Sequence, residues 1–289
     1  MPVYNGEDYI RETIESVLAQ TMSDLRLVIS DNASEDATQE IAQEFAARDP
    51  RIVYHRNPEN LGYARNFFNS LEMCRPYRYI TQIGHDDIWD PGFAEKIIRL
   101  METKSDTSMG FCRVTYIDEH GDKMDMDWYE RVTPYLPSLA SENRRIRLSV
   151  IPQYLFEHGI IKGDCWDPYL LKDYHGIHPD VFMVRGLLIQ GPSLVHDEAL
   201  FLKRIHRKSF SAGVEYFQMY GKRNCWQATN DLRERFGLNL LETLTCWYSL
   251  FIHYKIKIFL KKQWYRFAGL PKWLRRKFGS KKQDPHKHD

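Results

Sequence analysis

The most constraining feature of this sequence is an apolar stretch that ends in two adjacent carboxylates. It runs from Tyr79 to Pro91 with the sequence YITQIGHDDIWDP. The alternating, half-apolar pattern before Gly84 predicts a short strand, and Pro91 predicts the start of a helix. Asp86 and Asp87 would then follow the carboxyl end of a strand, which is where open α/β sheets place their ligand sites.

Two interpretations of this carboxylate pair are open at this point. Paired carboxylates at a strand end can hold a hard divalent cation, and such a cation is commonly shared with substrate phosphates. The alternative is a solvated acidic turn in which Asp90 and Pro91 begin the next helix. The pair is a weak motif by itself, so the choice depends on the rest of the chain.

Strand and helix patterns alternate with short connections from the N-terminus to about Ile117. Apolar runs predict strands at Leu25–Ser30, Ile52–His55 and Met109–Ile117. Ser34 is expected to cap the helix between the first two of these strands. This alternation is typical of a parallel α/β sheet with right-handed crossovers.

Composition indicates a soluble globular protein, because 43% of the 289 residues are hydrophobic and 27% are charged. The 5 cysteines are odd in number and show no metal-binding spacing, which predicts reduced thiols in a cytosolic protein. The N-terminus lacks a basic start followed by an apolar core, so no signal peptide is predicted. We therefore expect a cytoplasmic protein.

The last part of the chain is apolar at first and then basic. Leu238–Leu260 has a charge-free core only about half as long as the ~20 residues that a spanning helix needs. Between Trp264 and Phe278, aromatic residues alternate with lysines and arginines, which predicts a helix lying on an anionic membrane surface. A helix packed on the rest of the chain is the alternative. Nucleic-acid binding is not favoured, since no base-reading motif accompanies the charge. The residues expected on one helical face are Leu240, Leu244, Trp247, Tyr248 and Phe251.

Four segments, taken in order, resemble the family 2 glycosyltransferases of the GT-A fold. They are PVYNGEDYIRETIESVLAQT from Pro2, LRLVISDNASEDAT from Leu25, NPENLGYARN from Asn57 and GHDD from Gly84. The last segment occupies the position of the family's metal-binding Asp-x-Asp motif. The set in this order is highly specific, whereas any single member is weak. The resemblance covers roughly Pro2 to Ser211. It implies a Rossmann-like, mostly parallel central sheet flanked by helices.

The resemblance also implies which residues bind a nucleotide-sugar donor. Asp31 would hydrogen-bond the base, and Asp86 would contact the ribose or the donor sugar. Asp87 would bind a divalent cation, Mg²⁺ or Mn²⁺, that bridges the diphosphate. The other residues expected along the nucleotide are Pro2, Val3, Tyr4, Asn32, Ser34, Asn60, Gly62 and Arg65.

A looser match follows in the later part of the chain. The segments GIHPDVFMVRGLLIQG and LFLKRIHRKSFS resemble the family's region with a carboxylate at a helix start and an Arg-x-His element after a strand. By position Asp180 is the expected catalytic base, and Arg204 and His206 would approach the diphosphate or the acceptor. The carboxylates that could be the base instead are Asp164, Asp167 and Asp173.

The implied function is that of an inverting glycosyltransferase acting on a glycan or lipid-linked acceptor in polysaccharide biosynthesis. Such a reaction needs a base for the acceptor hydroxyl and positive charge on the departing diphosphate. A nucleotidyltransferase acting on sugar phosphates is the nearest rival, but the chain lacks an early Gly-rich, basic phosphate loop. A non-catalytic, membrane-docked scaffold with the same fold is the other alternative.

We expect residues 1–212 to form the GT-A domain, with a nucleotide-binding half over 1–117 and an acceptor-side half over 118–212. Residues 213–289 would form a helical, basic amphipathic extension at the inner face of the cytoplasmic membrane. The family normally has apolar residues before its Pro-Val-Tyr-Asn stretch. The sequence therefore predicts either a start upstream of Met1 or a shortened central strand.

Overall fold

The architecture is seen in a computed structural model of the 289-residue chain. The structure describes residues 1–125, 138–149, 159–165, 179–206 and 229–248, except residues 231 and 235 and the side chains at 64, 149, 179–182 and 185. Two β-sheets with helices packed against them make up this part of the chain. The α/β class predicted from the sequence is confirmed.

The first sheet is small, parallel and built from the N-terminal part of the chain. Its middle strand is buried along its whole length, because helices cover the sheet. The strand order β1–β2–β3 follows the chain order, as the alternating pattern predicts. The strands are β1 (Pro2–Val3), β2 (Leu27–Asp31) and β3 (Ile52–Arg56), and they are connected through the helices α1 (Ile10–Leu18) and α2 (Thr38–Arg48).

The second sheet has five strands in the order β4–β7–β6–β8–β5. Within it β6 and β8 run parallel, whereas the other neighbouring strands run antiparallel. The sheet is less parallel than the alternation indicated, because β7 and β8 insert from later in the chain. Both predicted halves, 1–117 and 118–212, therefore contribute to one sheet. The strands are β4 (Tyr79–Thr81), β5 (Ile88–Trp89), β6 (Met109–Ile117), β7 (Ile160–Lys162) and β8 (Ser193–Arg204).

Four further α-helices lie between β3 and β8 in the described part of the chain. The apolar periodicity from Asp180 to Ile189 predicts a helix that ends near Gly191, and the helix at Pro179–Gln190 confirms it. The expectation that Ser34 caps α2 is wrong: the helix begins at Thr38, and the Ser34 hydroxyl donates to Asp31 instead. The helices are α3 (Tyr63–Glu72), α4 (Phe93–Glu102), α5 (Arg144–Ser149) and α6 (Pro179–Gln190).

The end of β8 is the element that brings distant residues to the carboxylate pair. It pairs antiparallel with β5, with Ile88 opposite Leu202. Since β5 follows Asp87 directly, this pairing places the end of β8 beside the carboxylates. An aromatic cluster behind β5 supports the pairing: Phe93 stacks on Trp89 and meets Phe201 of β8 edge-on, with ring centroids 4.7 and 6.1 Å apart. Aromatic pairs in these arrangements add to the stability gained from burial alone.

The first part of the C-terminal region packs on the rest of the chain. Residues 240–248 are helical, with Cys246 buried and Glu242 held by two hydrogen bonds from Arg144 of α5 at 2.7 and 2.9 Å. Asn239 and Glu242 also cap each other's backbone N–H groups. This is what the packing alternative predicts for residues up to 248. The aromatic and basic stretch between Trp264 and Phe278, and Phe251 before it, lie outside the described residues.

Candidate active site

The two carboxylates lie in a tight turn between β4 and β5. The backbone N–H of Asp87 donates to the carbonyl of Gly84 at 3.3 Å. The hydroxyl of Thr13 on α1 lies 2.9 Å from the carbonyl oxygen of His85 and 2.8 Å from that of Asp87. Helix α1 therefore holds this turn from one side, while β8 holds it from the other.

Asp87 is fully buried and is bonded through both carboxylate oxygens to the end of β8. Its Oδ2 lies 3.0 Å from Nζ of Lys203, and its Oδ1 accepts the backbone N–H of Arg204 at 3.0 Å. Burial raises the pKa of Asp87 to about 6, against the lowering effect of the Lys203 ammonium. Asp87 is thus an anchor of the fold as well as a candidate ligand.

Asp86 is the more accessible carboxylate of the pair, at 9% exposed against 0% for Asp87. Its Oδ2 lies 2.9 Å from Nε2 of His206. Burial acts to raise the pKa of Asp86, but the hydrogen bond with His206 and the nearby His85 and Lys203 side chains outweigh it and hold the pKa well below its usual range. Asp86 therefore carries a negative charge at neutral pH.

The remaining oxygen of Asp86 and one oxygen of Asp87 converge on the space above Gly84. A Cβ atom at position 84 would lie 2.7 Å from Oδ1 of Asp86 and 2.7 Å from Oδ2 of Asp87. Glycine is the residue that leaves this space open, because any side chain would meet both carboxylates. Two carboxylate oxygens facing one small space can share a bound cation.

The converging oxygens fit Mg²⁺ or Mn²⁺, for which carboxylates are suitable ligands. Within the described part of the chain, no group of three or more His, Cys, Asp or Glu side chains could hold a metal. Mg²⁺ is commonly bound through one or two carboxylates together with substrate phosphates. The pair suits a cation whose other ligands come with the substrate.

Arg204 and His206 lie beside the carboxylates, and both are buried. Their approach to the diphosphate or the acceptor, which the sequence resemblance implies, stays a prediction. The guanidinium of Arg204 donates to the carbonyls of Asp86 and Asp118 at 3.1 and 3.2 Å and to the carboxylate of Glu12 at 2.5 Å. It also lies 4.7 Å from the ring centre of Tyr9, a cation–π distance. Arg204 therefore links the carboxylate turn, α1 and the end of β6.

Asp31, the predicted base-binding carboxylate, lies at the end of β2 and is fully buried. Its Oδ1 accepts the backbone N–H and the hydroxyl of Ser34 at 2.9 and 2.6 Å. Its Oδ2 accepts the hydroxyl of Tyr54 and the guanidinium of Arg56, both at 2.7 Å. Burial and the bond to Asp31 raise the pKa of Tyr54 to about 12. A base that contacts Asp31 would have to share these oxygens with the donors already present.

An amide network joins the end of β2 to the turn before α3. Asn32 donates to Oδ1 of Asn60 at 2.7 Å and accepts from Asn57 and from the backbone of Leu61 at 3.1 and 2.9 Å. Gly62 follows with φ of 79°, a left-handed conformation that favours glycine. Asn32 is thus bonded to the turn that contains Asn60 and Gly62, and the expected role of these residues along the nucleotide stays a prediction.

The predicted nucleotide residues form one edge that approaches the carboxylate turn. The backbone N–H of Asn32 donates to the carbonyl of Val3 at 2.9 Å, which sets β1 beside the end of β2. A Cβ atom at Gly6 would lie 2.6 Å from the ring of His85, so the loop after β1 contacts the carboxylate turn closely. Tyr4 is 41% exposed, and Arg65 is also exposed.

The predicted catalytic base, Asp180, lies at the start of a helix. Asp180 is in the first turn of α6, but its side chain is outside the described residues. Of the alternatives, Asp164 is exposed in the turn Gly163–Cys165, and Asp167 and Asp173 are also outside the described residues.

Sequence reasoning missed three residues that bond the site's carboxylates, namely Lys203, Tyr54 and Arg56. A lysine beside an Arg-x-His element ordinarily lies at a solvated strand end, so no local pattern marks Lys203. Tyr54 and Arg56 alternate along β3, and both could have been found from the parallel register that puts Asp31 opposite Arg56.

Comparison with known proteins agrees with this arrangement. The family described as "Glycosyl transferase family 2" matches residues 1–158, which is more than half of the chain. This chain belongs to glycosyl transferase family 2. The putative glycosyltransferase EpsH of Bacillus subtilis is 34% identical over 188 residues, covering 64% of this chain and 50% of EpsH. A chondroitin synthase of Escherichia coli is 35% identical over 124 residues, covering 42% of this chain and 17% of that protein. The matches thus span half or less of the length of these relatives.

Solved structures confirm the GT-A fold. The structure of S. aureus TarS 1-349 in complex with UDP-GlcNAc has a TM-score of 0.60 at 13% identity, covering 84% of this chain and 67% of that one. The mannosyltransferase PcManGT of Pyrobaculum calidifontis, in complex with GDP-Man and Mn²⁺, has a TM-score of 0.54 at 12% identity, covering 96% and 76%. At these identities the likeness concerns the fold.

The bonds around Asp31 lead to a prediction about stability. Tyr54→Phe removes one donor from the buried carboxylate and keeps the ring. We expect the free energy of unfolding to fall by about 1.5–3 kcal/mol, the typical contribution of a hydrogen bond to a charged group. Urea denaturation measures the change, and Tyr77→Phe on the exposed surface serves as a control that should change it by less than about 0.5 kcal/mol. Equal midpoints for Tyr54→Phe and the natural chain would contradict the contact.

Proposed function

We propose that this chain transfers a sugar from a nucleotide donor to a hydroxyl of a glycan or lipid-linked acceptor, with inversion, in polysaccharide biosynthesis. The observation that carries the proposal is the convergence of two carboxylate oxygens above Gly84, in a chain of glycosyl transferase family 2. A chondroitin synthase among the relatives supports a polysaccharide product.

The donor nucleotide is assigned to the edge formed by β1, the end of β2 and the turn before α3. The exposed ring of Tyr4 offers a stacking surface for a base, and Asp31 offers an acceptor held in place by Tyr54 and Arg56. Nucleotide-sugar donors are bound by the solved structures of TarS and PcManGT, which supports this class of ligand. The loop after β1, in which Gly6 lies against His85, connects the expected base site with the carboxylate turn.

Asp86 and Asp87 are assigned to a divalent cation, Mg²⁺ or Mn²⁺, beside the donor diphosphate. When bound, such an ion neutralises charge that develops on the leaving diphosphate. The chain's own contribution is to hold the two oxygens in place. Asp87 is fixed by Lys203 and the backbone of Arg204, and Asp86 is fixed by His206. The Mn²⁺ in the PcManGT complex supports a cation of this kind.

The acceptor hydroxyl is assigned to Asp180 as general base. A single carboxylate that removes the acceptor proton, with no second carboxylate as nucleophile, agrees with inversion. Asp180 lies in the first turn of the 12-residue helix α6. The positive end of the helix dipole also favours an ionised carboxylate there.

A donor panel tests the proposal as a whole. Full-length protein is titrated with UDP-, GDP- and dTDP-sugars with and without Mn²⁺, and slow hydrolysis without acceptor is followed. We expect one nucleotide to bind more tightly with Mn²⁺ and to be hydrolysed slowly. A chain that binds and hydrolyses none of these donors would be a scaffold, and the proposal would be wrong.

The role of Asp180 has its own prediction. Asp180→Asn can still accept hydrogen bonds at the helix start but cannot accept a proton. We expect sugar transfer to fall by roughly 10²–10⁴-fold with donor binding nearly unchanged. Asp164→Asn is the matched control and should keep its transfer rate. Near-normal transfer by Asp180→Asn together with a large loss in Asp164→Asn would move the role to Asp164.

We also propose that the C-terminal region places the enzyme on the inner face of the cytoplasmic membrane. Along the helix over 240–248, one face packs on the chain through Cys246 and the Glu242–Arg144 pair. The other face is apolar and exposed. A helix with an apolar face followed by a basic, aromatic-rich stretch is typical of binding to anionic lipid surfaces. None of the described helices is long and apolar enough to span a bilayer. The exposed residues are Leu240 at 70%, Leu241 at 57%, Leu244 at 43% and Tyr248 at 61%.

Truncation after Tyr248 tests this placement while keeping the packed helix. We expect full-length protein to bind vesicles with anionic lipids at low salt and to be released as salt rises, because screening weakens charge attraction. The truncated chain should bind these vesicles much less, and neither chain should bind neutral vesicles. Sedimentation with the vesicles gives the bound fraction. If full-length protein ignores anionic vesicles at low salt, the membrane assignment is wrong.

A further inference from the structure

Lys203 is a partly buried cation in the candidate donor site, and the proposed function uses it only to hold Asp87. Its side chain is 18% exposed, and its ammonium lies 3.0 Å from Oδ2 of Asp87. That oxygen is one of the two that converge above Gly84. A positive charge supplied by the chain therefore lies beside the space assigned to the divalent cation.

The two carboxylates of the turn need positively charged side chains of the protein to offset their repulsion. Asp86 and Asp87 are adjacent and nearly or fully buried, and two like charges at such a distance repel each other. His206 bonds Asp86, and Arg204 reaches the turn through the carbonyl of Asp86 and pairs with Glu12. Among the described residues, Lys203 is the ammonium that pairs with Asp87.

We propose that Lys203 binds the diphosphate of the donor and reduces the dependence of donor binding on a divalent cation. This inference rests on the proposed function, because it names a further ligand of the same site. Without metal, Lys203 neutralises Asp87. When a diphosphate arrives, the flexible four-carbon side chain lets the ammonium bond a phosphate oxygen as well.

Two measurable consequences distinguish this role from that of a purely structural ion pair. First, a nucleoside diphosphate should bind in the absence of divalent cations, and this binding should depend on Lys203. Second, Mn²⁺ alone should bind weakly, because the ammonium beside Asp87 repels it. A lysine that only anchors β8 to the turn would affect stability and leave metal-free diphosphate binding unchanged.

The test compares full-length protein with Lys203→Met, which keeps the length of the side chain and removes the charge. Binding of UDP, GDP and dTDP is measured by calorimetry in EDTA and in Mn²⁺, and Mn²⁺ binding alone is followed by its paramagnetic resonance signal. We expect Lys203→Met to weaken diphosphate binding in EDTA by about 10- to 100-fold, as expected for a lost charge-assisted bond. Mn²⁺ alone should bind more tightly to the variant than to the natural chain.

Three further variants serve as controls. Lys203→Arg keeps a positive charge and should retain most of the metal-free binding. Lys96→Met removes an exposed lysine paired with Glu198 on the surface and should change neither measurement. If Lys203→Met fails to fold because Asp87 is left without its partner, the double variant Asp87→Asn/Lys203→Met removes both charges, and it should lose metal-free diphosphate binding as well.

The outcomes separate this inference from the proposed function. Two outcomes would overturn this inference and leave the proposed function standing. In the first, the natural chain binds a diphosphate in Mn²⁺ but not in EDTA. In the second, Lys203→Met and the double variant both still bind the diphosphate in EDTA. Failure of all three diphosphates to bind under either condition overturns the proposed function and this inference with it. Metal-free binding that depends on a positive charge at position 203 supports it.

Discussion

The site depends on the contact between the carboxylate turn and the end of β8. Residues 117 positions apart meet there, and the backbone of Arg204 bonds Asp87 directly. Buried carboxylates are costly unless they are paired and hydrogen-bonded. The same bonds that compensate Asp86 and Asp87 therefore hold the end of β8 and His206 to the carboxylate turn. Structural and functional roles coincide at this contact, so each carboxylate is both an anchor and a candidate ligand.

The sequence predicted the local elements well, because hydrophobic periodicity and turn residues decide them. Met109–Ile117 is a strand with the predicted bounds, and the helix before Gly191 begins within one residue of its expected start. The ordered motifs also brought the candidate carboxylates and the Arg-x-His element to one place. The sequence did not predict the long-range strand pairing, because no local pattern indicates that β7 and β8 insert beside β6. For the same reason the sequence did not reveal that Lys203 pairs with Asp87.

The structure also separates two kinds of polar burial within the site. Asp31 and the amide network around Asn32 have their hydrogen bonds satisfied by neighbouring residues, which makes a rigid edge before any ligand arrives. Above Gly84, in contrast, two carboxylate oxygens face one small space, with Lys203 to one side. A rigid edge suits recognition of a base, whereas concentrated negative charge suits a cation that accompanies a diphosphate. The proposed function therefore assigns the base to the rigid edge and the cation to the carboxylate pair.

The most direct test of this account is Mn²⁺ binding with a nucleoside diphosphate present, compared between the natural chain and Gly84→Ala. The added methyl group would lie 2.7 Å from an oxygen of each carboxylate, so it fills the space without removing a ligand. We expect a folded variant that binds Mn²⁺ about tenfold or more weakly, because the ion and the methyl group would compete for one space and relieving such crowding costs about 1–3 kcal/mol. Gly92→Ala, which meets mainly the flexible Lys96 side chain, should bind Mn²⁺ normally. Equal Mn²⁺ affinity in Gly84→Ala and the natural chain would contradict the central claim that these two carboxylates hold the cation.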